Sequence, residues 1–483
     1  MKKIIPCLFL LLLFSTACKK ENTSETNADK NTGTPQKTEF HADNIKDKIL
    51  YQRAVDAAIW GIPAVNFQLM YKELEKINGS YNQIVYWPGL LNWKNQTLTP
   101  NPDVIYLMPF FNTEKGPVVL EIPPADNGVF NGSVMNCWQA AIEDVGPGGM
   151  DKGKGGKYII LPPGYDKTKI PSGYFVMQSD TYRGYALLRS VLKSGSPTDV
   201  KAAVEYSKRV KLYPYSEASN TPETIFVDAT KKIYDSSIKY DESFYASLNE
   251  IVQEEPFLER DRAMIDPLRT IGISRGKSFA PDAKTKEIFK AAVNEARDWL
   301  ISNYEGNKPF YEGTNWFFPA DEENIKSVKS SYQIKEIYPI DNRAVCYMIA
   351  FFSAKHIGES QYYLMAIKDK DGNILNGNTS YRVTVPANVP VKQYWSMTVY
   401  NRETHTFIRE AKWAGRSSQT PGIKKNSDRT VTLYFGPKPP AEGESNWIPT
   451  DPKGDFEILA RFYGPTKELY DQSWKLNDIE KVN

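Results

Sequence analysis

Four polar residues in or beside loops have side chains that could carry acid–base chemistry. Asp103 ends the segment Thr99-Pro100-Asn101-Pro102-Asp103, in which two prolines and a turn-forming asparagine would fix a carboxylate. Asp144 lies near a glycine-rich loop, and His405 and Arg409 follow an alternating strand pattern. A histidine near an acid can act as a general base, and an arginine can neutralise developing charge. We therefore predict Asp103, Asp144, His405 and Arg409 as the catalytic candidates of a non-zinc hydrolase or lyase.

Each of these residues also has an ordinary structural interpretation. The segment ending at Asp103 is typical of a turn whose Asn and Asp side chains bond their own backbone. A single histidine is more often a surface residue or a satisfied polar group than a base. The sequence does not decide between the two interpretations, so it leaves open whether the protein is an enzyme.

A second set of residues suits the binding of a small polar ligand. An indole ring beside hydrogen-bonding carboxylates, as at Trp138, is typical of sites for sugar-like ligands, although a packed tryptophan is equally ordinary. Lys157 and its neighbouring lysines flank a flexible glycine loop that could close over an anionic group. The predicted ligand-binding residues are Asn101, Tyr106, Trp138 and Lys157.

The chain predicts no metal ion and no cofactor. It has three histidines and no C-x-x-C, H-x-H or H-E-x-x-H motif, which argues against zinc. Residues 148–154 match the phosphate-loop spacing, but Gly155 stands where Ser or Thr must reach magnesium. Asp369-Lys370-Asp371-Gly372-Asn373 begins like a calcium loop, yet Ile374 occupies the glycine position, so a hairpin turn is predicted there.

The composition is that of a globular protein with an ordinary surface. Hydrophobic residues make up 41% of the chain and charged residues 24%. Its length of 483 residues suggests two or three domains. The net charge of +2 gives no electrostatic footprint for nucleic acid. Cys137 and Cys346 lie in apolar stretches of different predicted domains, so we expect two buried thiols rather than a disulfide.

The N-terminus has the layout of a bacterial lipoprotein signal. Lys2 and Lys3 precede an apolar run over residues 4–14, and small residues lead into Cys18. Residues 1–17 are therefore predicted as a signal peptide, Cys18 as the lipid-attachment site, and residues 18–43 as a disordered tether. The alternative is a plain secretory signal cut elsewhere. The expected location is the bacterial cell envelope, lipid-anchored and on the outer membrane, with the membrane as a partner through the lipid.

The body of the chain predicts a mainly β protein with inserted helices, of the α+β class. Residues 44–215 are predicted as a strand-rich domain that opens with a short helix ended by Gly61-Ile62-Pro63. Residues 216–330 are predicted as a helical insertion, with helices capped by Asp241 and Asp282. Residues 331–483 are predicted as a second antiparallel β domain, a sandwich or jelly roll, with strands over 344–352, 361–367, 394–400, 430–435 and 456–462.

Several motifs follow one another in order along the two predicted β domains. The first domain shows the segment Thr99 to Asp103 with Tyr106, the run Gly155-Gly156-Lys157-Tyr158, and Arg189. The second shows Tyr394-Trp395-Ser396, Tyr400, Arg416-Ser417-Ser418 and Phe462-Tyr463-Gly464-Pro465. In this order the motifs resemble a known bacterial family that pairs two domains of unknown function, numbered 1254 and 1214. The resemblance implies two strand-rich domains and an envelope location, and it carries over no catalytic residues.

Together these patterns favour an envelope lipoprotein that binds or processes a small polar or carbohydrate-like ligand between its two domains. A non-zinc hydrolase or lyase and a non-catalytic scaffold of an envelope complex are the alternatives. If the chain were a hydrolase or lyase, its predicted acid, base and arginine would have to meet in one cavity.

Overall fold

The helices lie mainly before and between two groups of β-sheets. The computed structural model describes residues 40–350, 354–356 and 361–482, so the predicted signal, Cys18 and nearly all of the tether lie outside the described residues. Residues from Ala42 onward form one compact unit. The described helices are α1 Ile45–Lys76, α2 Pro197–Ser207, α3 Ser243–Glu254, α4 Arg262–Thr270, α5 Ala283–Glu305, α6 Glu322–Lys329, α7 Ile340–Val345 and α8 Lys467–Tyr470. Within the described ranges, none of these is both long and apolar enough to span a bilayer.

Twelve described strands belong to the N-terminal region. They are β1 Gln83–Tyr86, β2 Asn95–Gln96, β3 Val104–Asn112, β4 Val118–Ile122, β5 Phe130–Asn136, β6 Ala141–Val145, β7 Gly156–Leu161, β8 Tyr174–Gln178, β9 Arg183–Val191, β10 Lys211–Pro214, β11 Phe226–Asp228 and β12 Tyr234–Asp235. They form a six-stranded sheet in the order β11-β1-β3-β9-β5-β6, a four-stranded sheet in the order β10-β4-β7-β8, and the pair β12-β2. The two larger sheets share an apolar core that includes Ile105, Leu107 and Leu120.

Eight described strands belong to the C-terminal region. They are β13 Gln361–Ala366, β14 Tyr381–Val385, β15 Trp395–Asn401, β16 Gly415–Ser417, β17 Val431–Gly436, β18 Trp447–Pro449, β19 Phe456–Tyr463 and β20 Glu480–Lys481. They form two four-stranded sheets, β13-β19-β15-β16 and β18-β17-β14-β20. Both sheets contribute to one apolar core, which includes Met397, Leu433 and Ile458, so the predicted sandwich is confirmed.

A central core joins the helices to one face of the six-stranded sheet and one face of β13-β19-β15-β16. Side chains along β3 alternate between two cores. Ile105 and Leu107 enter the N-terminal core, while Tyr106 and Met108 enter the central core. Helices α1, α3, α4, α5 and α7 cover the rest of the central core. The fold is therefore α+β, with two β-rich regions meeting across a shared interior.

The first helix is longer than predicted, because it does not end at Gly61-Ile62-Pro63. It continues to Lys76 with Pro63 inside it. A proline removes one backbone donor, but side chains from other elements bond this part of the helix: Gln139 donates to the Pro63 carbonyl at 3.0 Å and Arg343 to the Trp60 carbonyl at 2.5 Å. Burial of the surrounding turns and these bonds outweigh the local helix-breaking signal.

The predicted strand over 344–352 is also wrong for its described part. Residues Ile340–Val345 are α-helical and Cys346–Ala350 continue as a π-helix. A short run of buried apolar residues has no periodicity that separates strand from helix. By contrast, the predicted helices that follow Asp241 and Asp282 are confirmed as α3 and α5. Asp282 caps α5 and accepts a bond from the Thr285 amide at 2.7 Å, whereas the N-cap of α3 is Glu242 and not the predicted Asp241.

The two cysteines of the body are buried and free, as predicted. Burial raises the pKa of Cys346 to about 12 and that of Cys137 well above its usual value. Neither thiol is therefore an activated nucleophile at neutral pH.

Candidate functional site

The loop before β3 docks on the C-terminal region. The Gln96 side chain donates to the Phe407 carbonyl at 2.9 Å and accepts from the Thr406 hydroxyl at 2.8 Å. The Thr99 amide donates to the His405 carbonyl at 2.7 Å. These bonds bring the segment Thr99 to Asp103 into the interior between the two β-rich regions.

Asn101 and Tyr106, two of the predicted ligand-binding residues, are buried in this interior. The Asn101 side-chain amide donates to the hydroxyls of Tyr394 at 3.0 Å and Tyr463 at 2.8 Å. The Tyr106 hydroxyl accepts from the Asn101 backbone at 3.1 Å. Asn101 therefore bridges the two β-rich regions. Of these two residues, Tyr106 contributes to a cavity wall.

Arg461 enters the interior from the C-terminal sheet. It lies on β19 at a position facing the central core and is only 2% exposed. Its guanidinium donates to the Thr398 hydroxyl at 2.9 Å, to the Thr99 carbonyl at 3.0 Å, and to the Tyr400 hydroxyl. All three acceptors are neutral. Burial opposes its charge, but neighbouring tyrosines led by Tyr400 raise the pKa of Arg461 overall, so it remains charged.

Arg189 enters the same interior from the six-stranded sheet. It pairs with Tyr106 across β9 and β3, and its Nε donates to the Tyr106 hydroxyl at 3.2 Å. The guanidinium carbon lies 5.5 Å from the centre of the Tyr106 ring. Arg189 is 5% exposed; its burial opposes the charge, but nearby tyrosines led by Tyr106 outweigh burial and raise its pKa. Two buried cations thus come from opposite sheets.

Arg189 and Arg461 both line one cavity, which we call the arginine cavity. No Asp or Glu is among the described residues that line it. Its other polar groups are amides and hydroxyls, namely those of Asn66, Gln139, Thr97, Thr99, Tyr106, Tyr185, Tyr347 and Tyr363. A concave site with a few convergent polar groups is the usual form of a small-molecule site.

Two further cavities adjoin the arginine cavity. One, the apolar cavity, shares Arg189 and Tyr363 with it. A smaller one, the histidine cavity, shares Asn66, Leu98 and Tyr347 with it and is lined by His405. The arginine cavity therefore lies between the other two.

Asp144 lies in the wall of the apolar cavity. It accepts bonds from the Ser133 hydroxyl at 2.7 Å and from the His356 backbone at 2.8 Å. Burial raises the pKa of Asp144, and these two bonds offset the rise in part. The predicted acid is thus in a cavity, but its described contacts are with Ser133 and His356 rather than with the other three candidates.

His405 lies in the histidine cavity and pairs with an acid that the sequence did not suggest. Its Nδ1 is 2.8 Å from Glu457 Oε1, and the two residues are 2% and 0% exposed. A buried carboxylate that fixes an imidazole is the arrangement of an oriented general base. Glu403, its neighbour in sequence, is exposed.

Asp103 lies near a row of residues that crosses the C-terminal sheet. The strand register aligns Tyr363, Arg461, Ser396 and Ser417 on neighbouring strands. Burial raises the pKa of Asp103, while the Ser417 and Ser396 hydroxyls and the charge of Arg461 partly offset the rise.

The remaining predicted residues lie elsewhere. Arg409 is exposed and forms a salt bridge with Asp235 at 2.7 Å. Lys157 is also exposed and forms a salt bridge with Glu121 at 3.5 Å. Trp138 is buried against Trp60, with ring centres 4.5 Å apart. In the part of the chain that the structure describes, Asp103, Asp144, His405 and Arg409 therefore do not meet in one cavity.

The described residues contain no group of three or more His, Cys, Asp or Glu side chains that could hold a metal ion. The arginine cavity instead depends on Arg189, Arg461 and Tyr363, which the sequence did not mark as a site. A detectable signal was present for the two arginines. Each is a charged residue within a run of mostly apolar strand residues, in YALLRSV and ILARFY.

The fold resembles that of a solved bacterial structure. The structure is similar to the VPA0106 protein from Vibrio parahaemolyticus, with 17% identity, a TM-score of 0.54, and coverage of 90% of this chain and 100% of that chain. A putative uncharacterized protein from Burkholderia cenocepacia has 11% identity and a TM-score of 0.39, with coverage of 90% and 94%. No curated protein matches the chain.

Two family models match the sequence, both described as protein of unknown function. DUF1254 matches residues 81–214 and DUF1214 matches residues 360–467. Their order along the chain is the one that the motifs predicted. The chain belongs to the family of proteins that pair an N-terminal DUF1254 domain with a C-terminal DUF1214 domain.

Proposed function

We propose that the protein binds a small organic anion, of the carboxylate class, in the arginine cavity. One observation carries the proposal: Arg189 and Arg461 enter this cavity from opposite sheets, and no described Asp or Glu lines it. Guanidinium groups match carboxylates in charge and in the geometry of their paired donors.

The cost of burying charge supports this proposal. Burying an ion costs roughly several kcal/mol of hydration free energy, which an ion pair or good hydrogen bonds can offset. The described hydrogen bonds of Arg461 go to hydroxyls and a carbonyl, which compensate its charge less than an anion would. Asp103, whose carboxyl feels the charge of Arg461, is not among the residues that line the arginine cavity.

The same cavity argues for an anion rather than a neutral sugar. Sugar-like ligands suit an aromatic ring beside carboxylates, whereas here the aromatic rings accompany two cations. The proposal keeps the predicted small polar ligand between the two β-rich regions. It replaces the predicted carbohydrate-like ligand with an organic anion.

A comparison of anions with matched neutral molecules tests the proposal. Benzoate and succinate are added to the protein beside benzamide, succinamide and glucose, and thermal unfolding is followed. A ligand at about 100 times its Kd stabilises the folded state by about 2.7 kcal/mol. We expect the acids alone to raise the melting temperature. Equal shifts with the amides, or none with any acid, would contradict the proposal.

Variants locate the binding. Arg461→Gln should weaken acid binding about 10- to 100-fold, because a charged hydrogen bond is lost. Arg382→Gln is the control, since Arg382 is exposed and pairs with Glu480. Calorimetric titration measures the affinity of both variants for the acid, after circular dichroism has shown that each variant folds. Arg461→Lys serves if Arg461→Gln does not fold, and should keep part of the affinity.

A second candidate is proton transfer on the bound acid. His405, which pairs with the buried Glu457, lines a cavity that shares Asn66 and Tyr347 with the arginine cavity, which favours reversible removal of an α-proton of the bound acid by the His405 imidazole. The strongest binding acid that carries an α-proton is incubated with the protein in D₂O, and loss of its α-proton signal is followed by NMR. We expect exchange with the wild type and none with His405→Gln; no exchange above buffer would exclude it.

We further propose that the protein is a lipoprotein of the bacterial cell envelope, attached at Cys18 to the outer membrane. The support is the sequence pattern before Cys18. Labelled palmitate should enter the wild type and not Cys18→Ala. Equal labelling of both proteins would refute attachment at this residue.

A further inference from the structure

Building on the proposed function, we propose that the ligand is an organic acid with an apolar body. Its carboxylate lies between Arg189 and Arg461, and its body extends into the apolar cavity. The ligand class is thus an amphipathic monocarboxylate rather than a compact polyanion.

A wall shared by the two cavities is the first argument. Arg189 and Tyr363 belong to the walls of both. A carboxylate bonded to Arg189 therefore lies beside this shared wall, and the rest of the molecule has the apolar cavity on one side.

The chemistry of the apolar cavity is the second argument. Asp144 in its wall, when ionised, would repel a second negative charge, so the cavity favours the uncharged part of a ligand. Much of the remaining wall is apolar and includes Phe318, Pro319, Ile325, Val328 and Tyr362. Apolar surface of this kind stabilises alkyl or aromatic groups.

A buried acceptor gives the third argument. Gln361 lines the apolar cavity, and its Oε1 atom is buried with no hydrogen-bond partner among the described residues. A buried acceptor without a partner is unfavourable. A hydroxyl or amide N–H on the ligand body would satisfy it, which favours a substituted acid over a plain hydrocarbon chain.

A chain-length series tests the inference. Straight-chain acids from acetate to octanoate are titrated calorimetrically into the protein. Each added methylene that enters an apolar cavity should increase affinity about fourfold. The matched alcohol octanol should bind far more weakly than octanoate, because it lacks the charge.

A cavity-filling variant assigns the body to this place. Ala320 is half-buried in the wall, so Ala320→Trp should remove the gain with chain length and leave acetate binding unchanged. Ala283→Trp, at an exposed position outside the described cavities, is the control. If Ala320→Trp does not fold, Ile325→Gln should reduce the gain per methylene.

The outcomes separate the two proposals. Affinity that does not grow with chain length, or grows equally in Ala320→Trp, overturns the apolar-body inference. Acetate binding that depends on Arg461 would still support the proposed function in that case. If no acid binds at any length, both proposals fail.

Discussion

At the scale of single residues, Asn101 connects a local turn to the interface between the two β-rich regions. Its Oδ1 accepts from the Asp103 amide at 3.0 Å, which is the turn that the sequence suggests. Its Nδ2 crosses to Tyr394 and Tyr463, whose rings stack with centres 4.4 Å apart. One amide side chain thus holds a loop and orients two aromatic residues of the opposite sheet.

Asn101→Ala should destabilise the protein by about 2–4 kcal/mol, because two buried tyrosine hydroxyls and the Asp103 amide lose a partner. Urea unfolding measures the change. Asn378→Ala, at an exposed position, should alter the free energy of unfolding by less than about 0.5 kcal/mol. Equal effects of the two substitutions would show that the Asn101 bonds contribute no net stability.

Asp103 should make stability depend on pH. Burial raises its native pKa above the usual value of 3.8, so the native state keeps a proton that the unfolded state has lost. Its contribution is therefore present at low pH and is lost as pH rises from about 4 through the raised pKa. Asp103→Asn should gain stability relative to the wild type over this range, measured by urea unfolding. A constant difference between the two proteins would contradict the raised pKa.

At the scale of elements, the alternation of residues along a strand was predictable from the sequence, but the partners of the alternating side chains were not. The pattern over residues 456–462 predicted β19, and its even-numbered residues face the sandwich core. The odd-numbered face carries Glu457 and Arg461, whose partners lie on other strands and in the loops around them. Strand register and loop docking decide those contacts, and neither is readable from local sequence.

Gly61 tests the packing of α1 against α3. Alanine favours a helix over glycine by about 1 kcal/mol, yet a Cβ at Gly61 would lie 2.6 Å from Leu248 Cδ1. Gly61→Ala should therefore be destabilising by about 1–3 kcal/mol. The cost should shrink in a Leu248→Ala background, where the clashing atoms are absent. Additive effects in this double-mutant cycle would contradict the close approach.

At the scale of the whole molecule, the motifs that identify the two domains converge. The segment Thr99 to Asp103, Tyr106 and Arg189 belong to the first pattern, and Tyr394, Tyr400 and Tyr463 to the second. Hydrogen bonds join the two patterns across the interior. The motifs thus describe an interface between domains, together with the cavity that it encloses.

Because the central core takes residues from both β-rich regions and from the helices, the protein should unfold in one cooperative transition. Calorimetric and van't Hoff enthalpies should agree, and far-UV circular dichroism and tryptophan fluorescence should give coincident curves. Asn101→Ala should lower the temperature of the whole transition, since it weakens the contact between the regions. Two resolved transitions, with only one shifted by the substitution, would show instead that the regions unfold independently.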